Sequence, residues 1–416
     1  MKANSKLFIV VGVFTVLQLL VLAVFGYTPY PDSNGYLGIA RECLAQGESY
    51  PTCRQLVDLQ FVWNVGAINA VYYSLKLFGS IVPLLVVYAF LKGVTAWLFY
   101  KVAERLMNAS VAWLALAVYV LYLPNYGECT SLISELPFIF FCMLSLYLMI
   151  CRRMYILGGV VLAVANWMRP FSLVFVVSMV VYILLLRQRC VARIGKLLAG
   201  YVVMVGILGG CCWLRTGKFI YQAQSGWAML MKNHWLADSD RRSDRHLFPG
   251  GDPFVLPAGT RDACQRDSLW RDNFLKWLPR NVGEYVGQMP DKLVRTYVSD
   301  NANLCAFMSR SQKAASYMYE PLGMSVLKRD FPHYCAVQWA ALYNLLFYYL
   351  LLAFALLGAW KALKDKRLWI LLLLPMVGTA FVVLVGHGEA RYHQPFMPFF
   401  IMLAAWWLSD WKARRL

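Results

Sequence analysis

The stretch LFIVVGVFTVLQLLVLAVF, residues 7–25, decides the fold class. It carries no charged residue and approaches the ~20 apolar residues that a helix needs to cross a bilayer. Lys2 and Lys6 precede it, as in a secretory signal, but the run is too long for a signal core and no small-x-small cleavage site comes before Thr28. We therefore expect an uncleaved first span with its N-terminus in the cytoplasm.

Nine further apolar stretches make ten candidate spans. The ten lie near residues 7–25, 81–100, 110–124, 132–150, 155–168, 170–186, 197–213, 336–360, 368–385 and 394–409. Sixty per cent of the 416 residues are hydrophobic and 15% are charged, which is typical of membrane proteins. The stretches 110–124 and 155–168 are short, so neighbouring helices should cover their ends. The predicted fold is an all-α integral membrane protein with about ten transmembrane helices.

The basic residues collect in alternate loops between these stretches. About 17 of the 40 Lys and Arg residues do so, namely Lys2, Lys6, Lys101, Arg105, Arg152, Arg153, Arg187, Arg189, Arg193, Lys196, Lys361, Lys364, Lys366, Arg367, Lys412, Arg414 and Arg415. The positive-inside rule makes those loops cytoplasmic. The net charge of +18 then reflects topology and anionic headgroups rather than nucleic-acid binding. Any chemistry is expected on the opposite, outer face.

The chain divides into three regions on this topology. Residues 1–213 form an N-terminal membrane module with a first outer loop at 26–80, residues 214–335 form a small outer-face domain, and residues 336–416 form the C-terminal membrane helices. Apolar spacing in the first outer loop predicts two interfacial helices. Cys43 and Cys53 bracket a turn on the outer side and are the favoured disulfide pair. No Cys or His spacing resembles a zinc site.

Polar residues on the outer face are the functional candidates. Asp32 follows the first span, where it could be a helix cap or a functional carboxylate. Arg169 lies between two apolar helices, and Arg391 lies at the last span, in a motif whose other polar members are His387, Glu389, Tyr392 and His393. So many polar residues against a bilayer are costly unless they face a protein cavity.

Two charged residues in or beside the spans are harder to interpret. Glu135 opens the fourth span, where a carboxylate gains from the helix dipole, so a structural role and a functional role are both open. Lys92 lies within the second span, and we expect it to snorkel toward the cytoplasmic headgroups without a functional role.

Four motifs together resemble one enzyme group. PDSNGYLGIA begins at residue 31, SELPFIFFCMLSLYL at 134, ANWMRPFSLVF at 165 and GEARYHQPFMPFFIMLAA at 388. Their order and common face resemble the bacterial polyprenyl-phosphate-sugar glycosyltransferases of the GT-C fold, a group similar to the protein mannosyltransferases and the lipid A aminoarabinose transferase. The resemblance covers residues 1–186 and 368–409, and it does not extend to residues 214–335.

The resemblance implies an activity and a set of roles. Such enzymes move a sugar from a polyprenyl-phosphate carrier to an acceptor hydroxyl with inversion, on the periplasmic or exterior side of the bacterial cytoplasmic membrane. Asp32 would be the general base, with Glu135 as a second catalytic candidate. Arg391, Arg169 and Tyr392 would bind the donor phosphate, while Glu389, His387 and His393 are further site candidates.

Some partners and alternatives stay open. The acceptor could be a glycolipid, a glycan or a protein, and the surrounding partners are membrane lipids. The only DSD motif lies at 238–240, outside the first loop, so a divalent metal is open but not favoured, and no cofactor is expected. The competing function is a lipid or polysaccharide transporter or flippase without transferase activity, which should place charges along a path through the bilayer midplane.

Overall fold

The computed structural model describes residues 2–59, 61–187, 189–224, 259–260, 262–300, 304, 336–386 and 388–413. These residues fold almost entirely into helices. The N-terminal helices are α1 (Lys2–Phe25), α2 (Pro31–Gln46), α3 (Cys53–Asp58), α4 (Val65–Phe78), α5 (Val82–Leu106), α6 (Ala109–Leu121) and α7 (Pro124–Gly127). The next are α8 (Glu135–Leu146), α9 (Tyr155–Met168), α10 (Leu173–Leu185) and α11 (Cys190–Thr216). The last are α12 (Ala263–Trp277), α13 (Val282–Gly287), α14 (Met289–Tyr297), α15 (Ala336–Ala362), α16 (Trp369–Val385) and α17 (Met397–Ala413).

The helix lengths separate full spans from shorter apolar helices. Among the described residues, five helices are long and apolar enough to cross a membrane, and α6 with the bent segment Pro124–Thr130 would make a sixth. These five are α1, α5, α11, α15 and the helix that ends at Val385. An all-α membrane fold is therefore confirmed. All ten predicted apolar stretches contain a helix, but α8, α9 and α10 are shorter than the ~20 residues that a perpendicular crossing requires.

Large apolar side chains remain exposed along the long helices. Phe8 on α1, Val202 on α11 and Trp360 on α15 are 64%, 65% and 75% exposed. Large exposed apolar side chains along apolar helices suit a membrane or protein contact. These faces fit a hydrocarbon environment, so the protein is a multi-pass membrane protein.

Close helix packing depends on glycine at two facing positions. A Cβ at Gly159 on α9 would lie 2.0 Å from the Leu197 carbonyl oxygen, and a Cβ at Gly200 on α11 would lie 2.0 Å from the Ile156 carbonyl oxygen. The two backbones touch reciprocally, which is how small residues permit helix association in membranes.

The first outer loop differs from its prediction in two ways. It contains three helices rather than two, because Thr52 caps an additional short helix by accepting a hydrogen bond from the Gln55 amide. The predicted disulfide is also wrong. Cys43 is buried and bonded to Gln55, whereas Cys53 is exposed and its thiol faces the Arg215 carbonyl, so both cysteines are free.

The described part of residues 214–335 contains α12, α13 and α14. Helix α11 continues to Thr216, past the sequence-based boundary at 213, and α15 begins at Ala336. Arg266 on α12 donates to the carbonyls of Leu59 and Val57, which ties this region to the first outer loop. The DSD motif at 238–240 lies outside the described residues.

Candidate functional site

Four helix ends bring charged side chains together. Asp32 lies in the first turn of α2 and Glu135 begins α8, while Arg169 directly follows α9. Arg391 lies in a 3₁₀ turn, Ala390–Tyr392, before the last apolar helix. We call the following residues the arginine cluster: Asp32, Glu135, Arg169, Glu389, Arg391 and Tyr392. Every one of them is a candidate from the sequence.

Both arginines in this cluster form ion pairs with carboxylates. Arg391 Nη1 lies 2.6 Å from Asp32 Oδ2, and Arg391 Nε lies 2.5 Å from Glu389 Oε2. Arg169 Nη1 lies 2.8 Å from Glu135 Oε1. The two arginines therefore face three carboxylates, and Asp32 and Glu389 stay 22% and 40% exposed. The cluster is open to solvent or substrate on that side.

Tyr392 connects the two arginines. The Arg169 and Arg391 guanidinium carbons each lie 5.7 Å from the centre of its ring, within cation–π range. Tyr30 provides a second ring for Arg391 at 5.6 Å. Burial, with added repulsion from Glu389, raises the pKa of the Tyr392 hydroxyl, so it stays neutral at physiological pH. These ring contacts help to orient the guanidinium groups of Arg169 and Arg391.

The sequence analysis missed a set of supporting side chains. Arg169 Nη1 donates to Ser134 Oγ at 3.0 Å, and Ser134 donates to Glu135 Oε2 at 3.2 Å. Tyr36 donates to the same serine at 3.4 Å and accepts from Asn64 at 2.5 Å. Two of these residues could have been identified from the sequence. Ser134 directly precedes Glu135, and Tyr36 follows Asp32 by one helical turn.

A second polar group lies apart from the arginine cluster, and we call it the sealed cluster. It comprises Lys92, Tyr122, Glu128, Asp300, His393 and Gln394. Lys92 forms a buried ion pair with Glu128, and both side chains are only 3% exposed. Gln394 donates to the other carboxylate oxygen of Glu128. The expectation that Lys92 snorkels is wrong, because this buried carboxylate satisfies its charge inside the helix bundle.

His393 belongs to the sealed cluster rather than the arginine cluster. Its Nε2 lies 3.0 Å from Asp300 Oδ1, and its Nδ1 lies 2.5 Å from the Thr296 carbonyl oxygen. A carbonyl only accepts hydrogen bonds, so Nδ1 carries a proton. Tyr122 donates to the second oxygen of Asp300. Full burial of His393 and Asp300 makes this an internal anchor, while His387 lies outside the described residues.

The described residues offer little to a metal ion. No group of three or more His, Cys, Asp or Glu side chains in the described part of the chain could hold one. The carboxylates of the arginine cluster are engaged with guanidinium groups instead. What this arrangement can do chemically is accept a proton on a carboxylate and hold an anion with two arginines.

Comparisons with known proteins find similarity among solved structures. No family model and no curated protein sequence matches the chain. The chain is similar to the solved structure of the Archaeoglobus fulgidus oligosaccharyltransferase tethered with an acceptor peptide, with a TM-score of 0.48 and 11% identity. The match covers 98% of this chain and 50% of that one, so this chain spans about half the length of that enzyme.

Proposed function

We propose that the protein is a glycosyltransferase that moves a sugar from a polyprenyl-phosphate carrier to an acceptor hydroxyl, with inversion. The observation that carries this proposal is the Arg391–Asp32 contact at 2.6 Å inside a partly exposed cluster with a second arginine. Such a site pairs a proton acceptor with two donors suited to a phosphate. The proposed location is the bacterial cytoplasmic membrane, with the site facing the periplasm or exterior.

The proposed reaction is a single displacement. The acceptor oxygen attacks the anomeric carbon of the sugar and gives its proton to the Asp32 carboxylate. The bond between that carbon and the phosphate oxygen breaks, and the polyprenyl phosphate leaves with the bonding electrons. Arg391 and Arg169 would stabilise the charge that develops on the phosphate, which is where fixed electrostatics contributes most to such a step.

The existing ion pairs suggest how donor binding could prepare the base. Asp32 is paired with Arg391 through a contact of 2.6 Å between Arg391 Nη1 and Asp32 Oδ2. A lipid phosphate that takes over the hydrogen bonds of Arg391 would release Asp32. Glu135 would stay with Arg169 and keep it in position, since Glu135 is 4% exposed and also bonded to Ser134.

The competing function is a lipid or polysaccharide transporter or flippase. Charged residues do lie inside the helix bundle, in the sealed cluster, as a transporter would require. Lys92, Glu128, Asp300 and His393 are 0–3% exposed and bonded to one another or to neighbours. This closed arrangement favours a fixed structural role, whereas Asp32 and Glu389 in the arginine cluster are partly exposed.

A comparison of cell-envelope products tests the proposal. Mass analysis of glycolipids and glycans from cells with and without the gene should show one species that gains the mass of a sugar only when the gene is present. Purified protein should form the same species from a polyprenyl-phosphate sugar. If the purified protein relocates lipid across vesicle membranes but forms no new glycosidic bond, the transporter is the correct assignment.

A further inference from the structure

Residues 282–298, which contain α13 and α14, run alongside the membrane span α16. Helix α13 lies at the end of this span, because the Tyr285 hydroxyl donates to the Leu384 carbonyl. Helix α14 ends further along it, where the Tyr297 hydroxyl oxygen lies 2.6 Å from the Thr379 hydroxyl oxygen. Thr379 is six residues before the end of α16, which is about 9 Å of helix at ~1.5 Å per residue.

A second span, α15, contacts the same segment near the middle of the span. The Tyr348 hydroxyl donates to the Tyr297 carbonyl at 3.0 Å, and the neighbouring Tyr349 hydroxyl donates to the Val298 carbonyl. Tyr348 is 12 residues after the first residue of α15 and 14 before the last. The end of α14 therefore lies at the depth of the middle of a span, while α13 lies at the end of one.

The surface of the chain changes where this segment begins. Helix α12, just before it, exposes mainly polar side chains, namely Gln265, Ser268, Arg271, Asp272 and Lys276. In residues 282–298 every exposed residue is apolar, glycine or proline, namely Val282, Gly283, Val286, Gly287, Pro290, Leu293 and Val294. Val286, Leu293 and Val294 are 49%, 43% and 57% exposed. Large apolar side chains at the depth of a span suit hydrocarbon rather than water.

The charged residues of the segment lie away from this apolar surface. Glu284, Asp291, Lys292 and Arg295 are all buried or half-buried. Asp291 and Arg295 form an ion pair at 2.8 Å, and Lys292 Nζ lies 5.3 Å from the centre of the Tyr285 ring. Ionisable residues at membrane depth typically pair with one another or face the protein interior. The charges are therefore arranged as a bilayer on the apolar side requires.

We propose that residues 282–298 enter the bilayer beside α15 and α16, and that lipid acyl chains cover their exposed apolar face. The apolar face is continuous with the exposed surface of those spans, because Leu293 lines one groove with Leu356 and Met376, which are 72% and 66% exposed. Lipid that covers the spans would therefore also reach α14. This inference does not depend on the proposed function, and it moves part of residues 214–335 from the outer face into the membrane.

The opposite side of α14 packs on the loop that carries Arg391. Gly388 in that loop lies so close that a Cβ there would be 2.7 Å from Lys292 Cα. Lys292 and the exposed Val294 are two residues apart, which places them about 200° apart around a helix of ~3.6 residues per turn. Helix α14 would therefore separate this loop from the acyl chains.

Photocrosslinking tests which molecule covers the apolar face. The full-length protein is placed in liposomes of phosphatidylcholine and phosphatidylglycerol, with benzoylphenylalanine at position 294. The matched control carries it at position 275, because Leu275 is 50% exposed on α12, beside the exposed Arg271 and Asp272. After illumination, mass spectrometry of peptides identifies the adducts. We expect phospholipid adducts to be at least tenfold more abundant at position 294 than at position 275.

Thiol labelling gives an independent measure of exposure to water. Val294→Cys and Leu275→Cys each shorten an exposed apolar side chain, so both variants should fold. A charged, water-soluble maleimide is present on both sides of the liposomes, and labelling is read peptide by peptide to separate it from that of the native cysteines. We expect position 294 to react at least tenfold more slowly than position 275, and equally fast after denaturation in detergent.

Two results would overturn the proposal. One is labelling of position 294 as fast as that of position 275, which would place α14 in water. The other is a crosslink from position 294 mainly to another segment or to a second copy of the protein, which would show that protein rather than lipid covers this face.

Discussion

The arginine cluster and the sealed cluster contain the same kinds of residues but differ in their exposure to solvent. Each joins basic and acidic side chains from distant parts of the chain, and they share the segment that runs from Glu389 to Gln394. Glu389 and Asp32 in the arginine cluster are 40% and 22% exposed, whereas Lys92 and Glu128 are 3% exposed. Exposure, rather than residue type, separates a candidate reaction site from an internal anchor.

The sealed cluster also explains how the arginine cluster is held. His393 and Gln394 follow Arg391 almost directly and bond to Asp300 and Glu128. The loop is therefore anchored to two separate parts of the fold just beyond the candidate residues Glu389, Arg391 and Tyr392. Support of this kind from outside a site holds its side chains in position.

The largest expected effect is on stability, from Lys92→Met. The change leaves the Glu128 carboxylate buried without its cation, which typically costs about 3–5 kcal/mol. Denaturant or thermal unfolding in detergent measures the loss. The double variant Lys92→Met with Glu128→Gln removes both charges and should recover most of it. A single variant as stable as the wild type would mean that water or lipid reaches Glu128 and that the cluster is not sealed.

Asp32→Asn should affect transfer far more than stability. Loss of a general base typically lowers the rate by about 10²- to 10⁴-fold, whereas loss of a helix cap costs about 1 kcal/mol. Product formation by the purified variant and its unfolding curve measure the two effects separately. Near-normal turnover would assign Asp32 to a capping role and move attention to Glu135 or Glu389.

Arg391→Lys should weaken binding of polyprenyl phosphate by about 10- to 100-fold. An ammonium keeps the charge but cannot reproduce a planar two-point contact, and hydrogen bonds to charged groups contribute about 1.5–3 kcal/mol. Titration with polyprenyl phosphate measures the change. Arg271→Lys is the control, because Arg271 is an exposed residue outside both clusters. Unchanged affinity and transfer would end the assignment of Arg391 to the phosphate.

The smallest expected effect is from Lys101→Met. Lys101 lies on the same helix as Lys92 and pairs with Glu104 at 2.9 Å, but the two side chains are 23% and 37% exposed. Partly exposed pairs contribute about 0–1 kcal/mol. The same unfolding assay should therefore barely distinguish this variant from the wild type. A loss as large as that of Lys92→Met would show that exposure does not separate the two pairs.

Several residues of the candidate site could be predicted because their chemistry is visible locally. Asp32, Glu135, Arg169 and Arg391 each stand beside an apolar stretch where a charge is costly, and the structure brings all four into one cluster. His393 was also predicted to lie in this site, but its ring contacts Asp300 in the sealed cluster instead. Ser134 and Asn64 were missed because uncharged polar residues near helix ends are common.

The sequence by itself determined the membrane class, the positions of the apolar helices and the residues whose charge demands a partner. Those properties depend on composition and on runs of neighbouring residues, so they can be read locally. Only the tertiary structure decided which partner each charge takes. The Arg391–Asp32 pair joins residues 359 positions apart, and Lys92 finds Glu128 rather than the headgroups. Burial and pairing depend on how helices pack, and no local pattern encodes that contact.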